Sequence, residues 1–276
     1  MLFNGSDIRA YPAILTAIAP LIALGFWWRG GFNTSTSNRK TTSPSIVSID
    51  GNVGAGKSTF VAALKETLKD DPRYVFIQEP VGEWESIKNE EGQSMIELFY
   101  GNKEKYAFSF QMMAYISRLA ILRDAVLKAE KSGARYIISE RCVDTDKNVF
   151  AKMLTDDGVM EDVEYAIYKR WYDVFLKELP VYARIYIDVC PETCSARISK
   201  RGRPGEDVPL EYLKRCGEYH DQWLSESKKE GIPVLYLDGE EDVYKSDNSL
   251  GMWFEDVANF LGDTTLLRKL TQRAQH

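Results

Sequence analysis

Residues 51–59 read GNVGAGKST, the pattern G-x-x-x-x-G-K-[ST]. Each residue type in it serves a chemical task. Gly51, Gly54 and Gly56, spaced by Asn52, Val53 and Ala55, let backbone N–H groups turn inward around phosphate oxygens. The helix that follows aims its N-terminus at the same anion. Lys57 adds a point charge, Ser58 offers a hydroxyl to Mg²⁺, and Thr59 continues into the helix. The flanks agree: SIVSID reads as a strand and STFVAALKETL as a helix. The pattern implies a nucleoside triphosphate and Mg²⁺, and by itself leaves ATPase, GTPase and small-molecule kinase open.

Other residues narrow the chemistry. Guanine recognition usually needs N-K-x-D, and Asn102-Lys103-Glu104-Lys105 lacks the Asp. Motor ATPases usually end a later strand in Asp-Glu, whereas YIISERC places Glu140-Arg141 there. A strand-end Glu suits Mg²⁺, and a neighbouring Arg suits charge developing on a transferred phosphoryl group. Glu79-Pro80 follows another strand, at the carboxyl edge where ligands of such sheets bind. A carboxylate at Glu79 can accept the proton of an attacking hydroxyl. Trp84 stands close behind, as a pocket wall or a core plug. Gln111 and Arg118 are two helical turns apart on a face with Ala114 and Tyr115, so both need partners. The Gln111 amide matches a base edge, and Asp146 is a partner for Arg118. Arg197, Lys200, Arg201 and Arg203 surround a Gly/Pro turn, which suits a flap closing on phosphates.

These residues require a scaffold that holds strand ends together. Apolar β-rich runs occur at 46–50, 74–78, 136–139, 184–189 and 234–237. Helical patterns occupy 58–69, 108–131, 162–177, 191–200 and 210–229. Continuous apolar strands alternating with helices predict an α/β fold with a parallel sheet covered on both faces. The composition is globular: 44% apolar, 28% charged, 35 Lys+Arg against 41 Asp+Glu, net charge −6. The acidic balance argues against a sequence-blind nucleic-acid coat. Only His220 and His276 are present, too few for a His-rich metal site. Cys142, Cys190, Cys194 and Cys216 form no C-x-x-C pair and read as free thiols.

The first 44 residues differ from the rest. Tyr11 to Trp28 carries no charge, and a linker rich in Gly, Ser, Thr and Asn follows. The stretch just reaches the roughly 17–25 residues that a bilayer span needs. It is a candidate membrane anchor, with a targeting segment as the alternative. Arg29, Arg39 and Lys40 after it bias the remainder toward the cytoplasm, with the mitochondrion as the other location. The expected organisation is this segment at 1–44, a P-loop domain at 45–262 and a polar tail at 263–276.

With GNVGAGKST, EPVGEW, FSFQMMAYISR, SERCVDTD, RGR and LDGEED in this order, the chain resembles the deoxynucleoside kinases from about Ser45 to Gly262. The resemblance implies a P-loop kinase fold with a five-stranded parallel sheet, usually in a homodimer. It implies ATP-dependent phosphorylation of the 5′-hydroxyl of deoxynucleosides. Lys57 and Ser58 would serve the ATP phosphates and Mg²⁺, which Glu140 would help to place. Glu79 would be the general base, and Arg141 would stabilise the transfer and position Glu79. Tyr100 and Glu206 would hold the 3′-hydroxyl, and Gln111 the base between Trp84 and Phe150. Arg197, Arg201 and Arg203 would form the lid, with Glu241 and Asp242 near the adenine. Arg118 and Asp146 stand where deoxycytidine and deoxyguanosine kinases keep an Arg/Asp pair, so these substrates should beat thymidine.

Three departures from the family pattern are visible. The lid is shorter between Arg203 and Pro209, Cys142 stands where Ser is usual, and the apolar N-terminus is added. Two other readings are carried: a nucleoside monophosphate kinase, and a non-catalytic membrane subunit on the same fold. Intact Lys57, Glu79 and Arg141 weigh against the second.

Overall fold

Val, Ile and aromatic residues bounded by turns build five strands, because such side chains fit a pleated, buried surface. In the computed structural model, which describes residues 43–176, 179–241, 249–264 and 266–267, these are β1 (Ser45–Gly51), β2 (Tyr74–Ile77), β3 (Tyr136–Glu140), β4 (Val181–Asp188) and β5 (Val234–Asp238). The expected anchor at 11–28, Asp242 and the residues beyond 267 lie outside the described residues. All pairings are parallel, in the order β2-β3-β1-β4-β5. The fold expectation is met: a parallel sheet with helices on both faces. β1 is central, so its carboxyl end opens at the point where strand order reverses, where ligands of such sheets bind.

Alternation along β1 sends its side chains to two cores. Val47 and Ile49 pack with Phe60, Val61 and Leu64 of α1 (Lys57–Thr67) and with Trp253 and Phe254 of the last described helix (Ser249–Phe260). Ile46 packs with Ile77 and with Leu122 and Ala125 of a long helix on the other side. The expected strand at 184–189 begins earlier, at Val181, because Val181 pairs beside Ile46 across an irregularity in register. Asp263 and Leu266, expected in the tail, are buried. Asp263 accepts from Arg73 Nη1 at 2.9 Å and from the Tyr74 hydroxyl, so the packed unit runs past Gly262.

Several helices go beyond the sequence reading. α2 (Val81–Ser86) and α3 (Met95–Gly101) lie between β2 and α4 (Lys103–Ser132). The sequence sign of α3 is a capping box: Ser94 Oγ accepts from Glu97 N while Glu97 accepts from Ser94 N. α4 is 30 residues long and ends on left-handed Gly133. Its buried stripe includes Gln111, Ala114, Tyr115, Arg118 and Leu122, so both polar candidates face inward. After β3, α5 (Val143–Thr145) passes through a π-helical turn (Asp146–Ala151) into α6 (Lys152–Asp156). A wider turn of this kind is common at functional sites. α7 (Asp162–Phe175), α8 (Pro191–Arg201) and α9 (Leu210–Lys229) follow. All four cysteines are free thiols, as expected. Among the described residues no helix is long and apolar enough to cross a membrane.

Candidate active site

The loop between β1 and α1 meets the phosphate requirement in its backbone. Gly54 has φ +84°, and a Cβ there would lie 2.6 Å from the Cys194 carbonyl of α8. Only glycine allows both the turn and that approach. The Asn52 side chain braces the loop, donating to Leu213 O at 2.8 Å and accepting from Val53 N at 2.8 Å. Lys57 is buried and donates to Asn52 O at 2.6 Å. Burial and the nearby Arg141 bring its ammonium down to about 7, against the opposing pull of Glu79 and Glu140. An arriving phosphate would restore its charge.

The ends of β2 and β3 bring the charged centre together. Glu140 accepts from Ser58 Oγ at 2.5 Å and from Glu79 N at 3.4 Å. Ser58 and Glu140 therefore present hard oxygen donors side by side at a helix N-terminus. Among the described residues no larger ligand cluster exists. This fits Mg²⁺, which takes one or two protein oxygens and completes its shell with phosphate and water.

The Glu79 carboxylate sits between two guanidinium groups. Arg118 Nη2 donates to Oε1 at 2.8 Å, and Arg141 Nε lies 3.4 Å from the same oxygen. Burial would raise the Glu79 carboxyl, but Arg118, Arg141 and Lys57 outweigh it and hold it at about 2. Arg118 is 2% exposed and bonded at all three nitrogens: besides Glu79, Nε donates to Asp146 Oδ2 at 2.7 Å, Nη2 to Asp146 Oδ1 at 3.3 Å, and Nη1 to Glu140 O at 3.0 Å. The expected Arg118–Asp146 pair exists. What sequence reasoning missed is that Arg118 also holds Glu79, and more closely than Arg141 does.

Arg141 is strained and incompletely paired. Among the described non-glycine residues it alone has a positive φ, +60°. Such conformations cost on the order of 1–3 kcal/mol and cluster at functional sites. Its guanidinium lies over the Phe150 ring at 4.8 Å, and its buried Nη1 has no partner. A buried donor without an acceptor, on a residue that lines a cavity, is poised for an anionic ligand.

Two cavities meet at Gly54, Lys57, Ser58, Arg201 and Arg203. The first is lined by Glu79, Trp84, Tyr100, Gln111, Arg118, Asp146, Phe150 and Glu206, so the expected acceptor residues come together. Trp84 is fixed as a wall by its Nε1 bond to Ser117 Oγ at 2.9 Å. Among the described residues none takes the buried Gln111 amide in a hydrogen bond. Glu206 pairs with Arg201 at 2.6 Å and Arg203 at 3.5 Å. Burial and Glu206 raise the Tyr100 hydroxyl. Val81, Ile96, Phe99, Phe110 and Tyr212 also line this cavity and were not anticipated. Val81, Ile96 and Phe99 come from the short helices α2 and α3, while Phe110 and Tyr212 lie on the long helices α4 and α9, where a helical period does not say which apolar side chain will face a cavity.

The second cavity is lined by the phosphate loop, Arg197, Arg201, Arg203, Glu241 and Trp253. Arg197, expected in a lid, is already engaged. Its Nη2 clamps the carbonyls of Gly239, Glu240 and Glu241 at 2.8, 3.0 and 3.3 Å, tying α8 to the loop after β5.

A triphosphate-type loop thus adjoins a second cavity, with a carboxylate held by two arginines on its wall. Residues 47–262 match the deoxynucleoside kinase family. The chain belongs to that family. It is 33% identical to human deoxycytidine kinase over 243 residues, 78% of this chain and 90% of that protein. It is 34% identical to mouse deoxycytidine kinase over 255 residues, 82% and 94% of the two chains. A mitochondrial deoxyguanosine kinase of Xenopus laevis is 28% identical over 245 residues, 79% and 90%. As a deoxynucleoside kinase the protein is a phosphotransferase, and the non-catalytic reading is set aside.

In this kinase, Asp146→Ala leaves the buried Arg118 charge half-paired. Stability to denaturant should fall by about 3–5 kcal/mol, read from urea unfolding. A second expectation concerns pH. The unfolded chain keeps the Lys57 proton to about 10.5 and the fold to about 7. Between these values the unfolded state binds more protons, so this group adds stability as pH rises from about 7. The urea midpoint of the wild type should therefore gain on that of Lys57→Met between about pH 7 and 9.

Proposed function

We propose that this enzyme transfers the γ-phosphoryl group of ATP to the 5′-hydroxyl of deoxycytidine and of purine deoxynucleosides, in preference to thymidine. The observation that carries the preference is the buried Arg118–Asp146 pair on the wall of the acceptor cavity. It occupies space that a thymine methyl would need and offers charged groups to an exocyclic amine or carbonyl. The names of the deoxycytidine and deoxyguanosine kinase relatives agree with this reading.

The residue roles in this reading are those that the family resemblance implies, and the placement of these side chains around the two cavities supports them. Residues 45–262 carry the catalytic machinery. Gly51 to Thr59 hold the donor phosphates, with Lys57 as the charge among them. Ser58 and Glu140 hold Mg²⁺, which when bound neutralises phosphate oxygens. Glu79 accepts the 5′-hydroxyl. A carboxyl held at about 2 is a weak base. Its first task is therefore to orient the hydroxyl, and it takes the proton late, as a loose phosphoryl-transfer transition state allows. Arg141 meets the transferring group with its spare Nη1. Tyr100 and Glu206 hold the 3′-hydroxyl, Gln111 the base edge, and Trp84 and Phe150 its faces. Arg201 and Arg203 swing from Glu206 to the phosphates, while Arg197 holds the loop after β5, from which Glu241 and Asp242 would serve the adenine as the resemblance implies.

The kinase works as a homodimer in this reading. Val163, Ile167, Trp171, Val174 and Phe175 form an exposed apolar stripe on α7, and Ile116 of α4 is exposed as well. A second copy related by a two-fold axis covers such a self-complementary face.

Two measurements test these readings. The full chain, with ATP and Mg²⁺, should turn over deoxycytidine or purine deoxynucleosides faster than thymidine. Glu79→Gln should lose roughly 10²–10⁴-fold in kcat. Thymidine as best substrate overturns the assignment of Arg118 and Asp146. Light scattering should give twice the chain mass for the wild type and the single mass for Trp171→Glu; a wild-type monomer removes the dimer.

A further inference from the structure

The turn that presents Arg141 is a conformation that arginine rarely adopts, so something must hold it. Its N–H donates to Ile49 O at 2.9 Å, and its carbonyl accepts from Ser139 Oγ at 2.7 Å. The next amide, Cys142 N–H, donates to Thr145 Oγ1 at 3.4 Å. Thr145 has one hydroxyl proton and gives it to Asp50 Oδ1 at 2.5 Å, across 95 positions of sequence. The other Asp50 oxygen accepts from Ser48 Oγ at 2.6 Å. Ser48, Asp50 and Thr145 are each 0% exposed. None of them lines either cavity, and none has a part in the transfer described above.

The place of this relay in the chain is informative. Asp50 immediately precedes Gly51, where the phosphate loop begins. Thr145 immediately precedes Asp146, whose carboxylate holds Arg118, which in turn holds Glu79. The relay Cys142 N–H to Thr145 O–H to Asp50 carboxylate therefore joins the phosphate loop to both arginines on Glu79. Its members polarise one another in the same direction. The Ser48–Asp50 bond, by contrast, stays within β1.

We infer that Thr145 and Asp50 are positioning residues for phosphoryl transfer: their hydrogen bond registers the Arg141 turn and Asp146 against the phosphate loop. The inference rests on the reading that Arg141 meets the transferring group.

The test compares three variants of the full chain at saturating ATP and deoxycytidine, well below their melting temperatures. Thr145→Val keeps the side-chain shape and loses the hydroxyl. Its kcat should fall about 10- to 100-fold, as small misplacements of reacting groups do, with both KM values within about twofold of wild type. Thr145→Ser should restore kcat. Ser48→Ala removes the other hydroxyl bond to the same carboxylate and should leave kcat near wild type.

A purely structural role predicts matching behaviour of Thr145→Val and Ser48→Ala. An unchanged kcat in Thr145→Val, an equal loss in Ser48→Ala, or no rescue by Thr145→Ser overturns the inference. So does a Thr145→Val that fails to fold while Ser48→Ala folds, because the bond is then a staple of the fold. Arg141→Met distinguishes the underlying reading: full turnover there removes the role of Arg141, whereas normal kcat in Thr145→Val alone removes only the relay.

Discussion

A guanidinium ion at Arg118, 2% exposed, cannot survive burial without full compensation. Its neighbours supply it: both oxygens of Asp146, one of Glu79 and the carbonyl of Glu140. That requirement draws four elements to one point. α4 brings the arginine, the end of β2 brings Glu79, the end of β3 brings Glu140, and the π-helical turn brings Asp146. The first cavity is the space left around this node, so in the proposed reading catalysis and substrate choice share one buried charge cluster.

The electrostatics of the node explain why the centre is charged before any ligand arrives. Glu79 is held ionised because two arginines and Lys57 outweigh its burial. Lys57 is weakened because it sits buried beside Arg141. In the proposed reading, phosphate on the loop would reverse the balance around Lys57, and a hydroxyl in the pocket would take up the Glu79 oxygens. Charges set in advance in a low-dielectric site need no reorganisation at the moment of transfer. The strained turn at Arg141 and its spare Nη1 belong to the same economy, since strain is kept where surrounding bonds over-determine it.

Two arginines at the end of α8 serve two cavities. Arg201 and Arg203 line both, and Glu206 neutralises them while facing the acceptor side. Arg197 looks in sequence like a third lid arginine. It is instead committed to three carbonyls of the loop after β5. Spacing along α8 could not separate these fates, because they depend on what faces each side chain.

The sequence by itself determined the parallel α/β fold, the glycine loop before α1 and many of the polar side chains that line the two cavities. Its reasons are local: a glycine pattern before a helix, β-rich runs between helical ones, and charged residues at strand ends. It also placed Gln111 and Arg118 on one buried face, because seven residues make two helical turns. Tertiary structure alone decided that Arg118 grips Glu79, that Asn52 braces the loop on α9, and that Asp50 reaches Thr145. It decided too that Val81, Ile96, Phe110 and Tyr212 wall the pocket and that Asp263 and Leu266 belong to the core. These contacts join segments far apart in the chain, and no period or propensity encodes which distant side chain will stand opposite. Local order comes from neighbours in sequence, whereas the pairing of buried charges is settled only when the sheet closes around them.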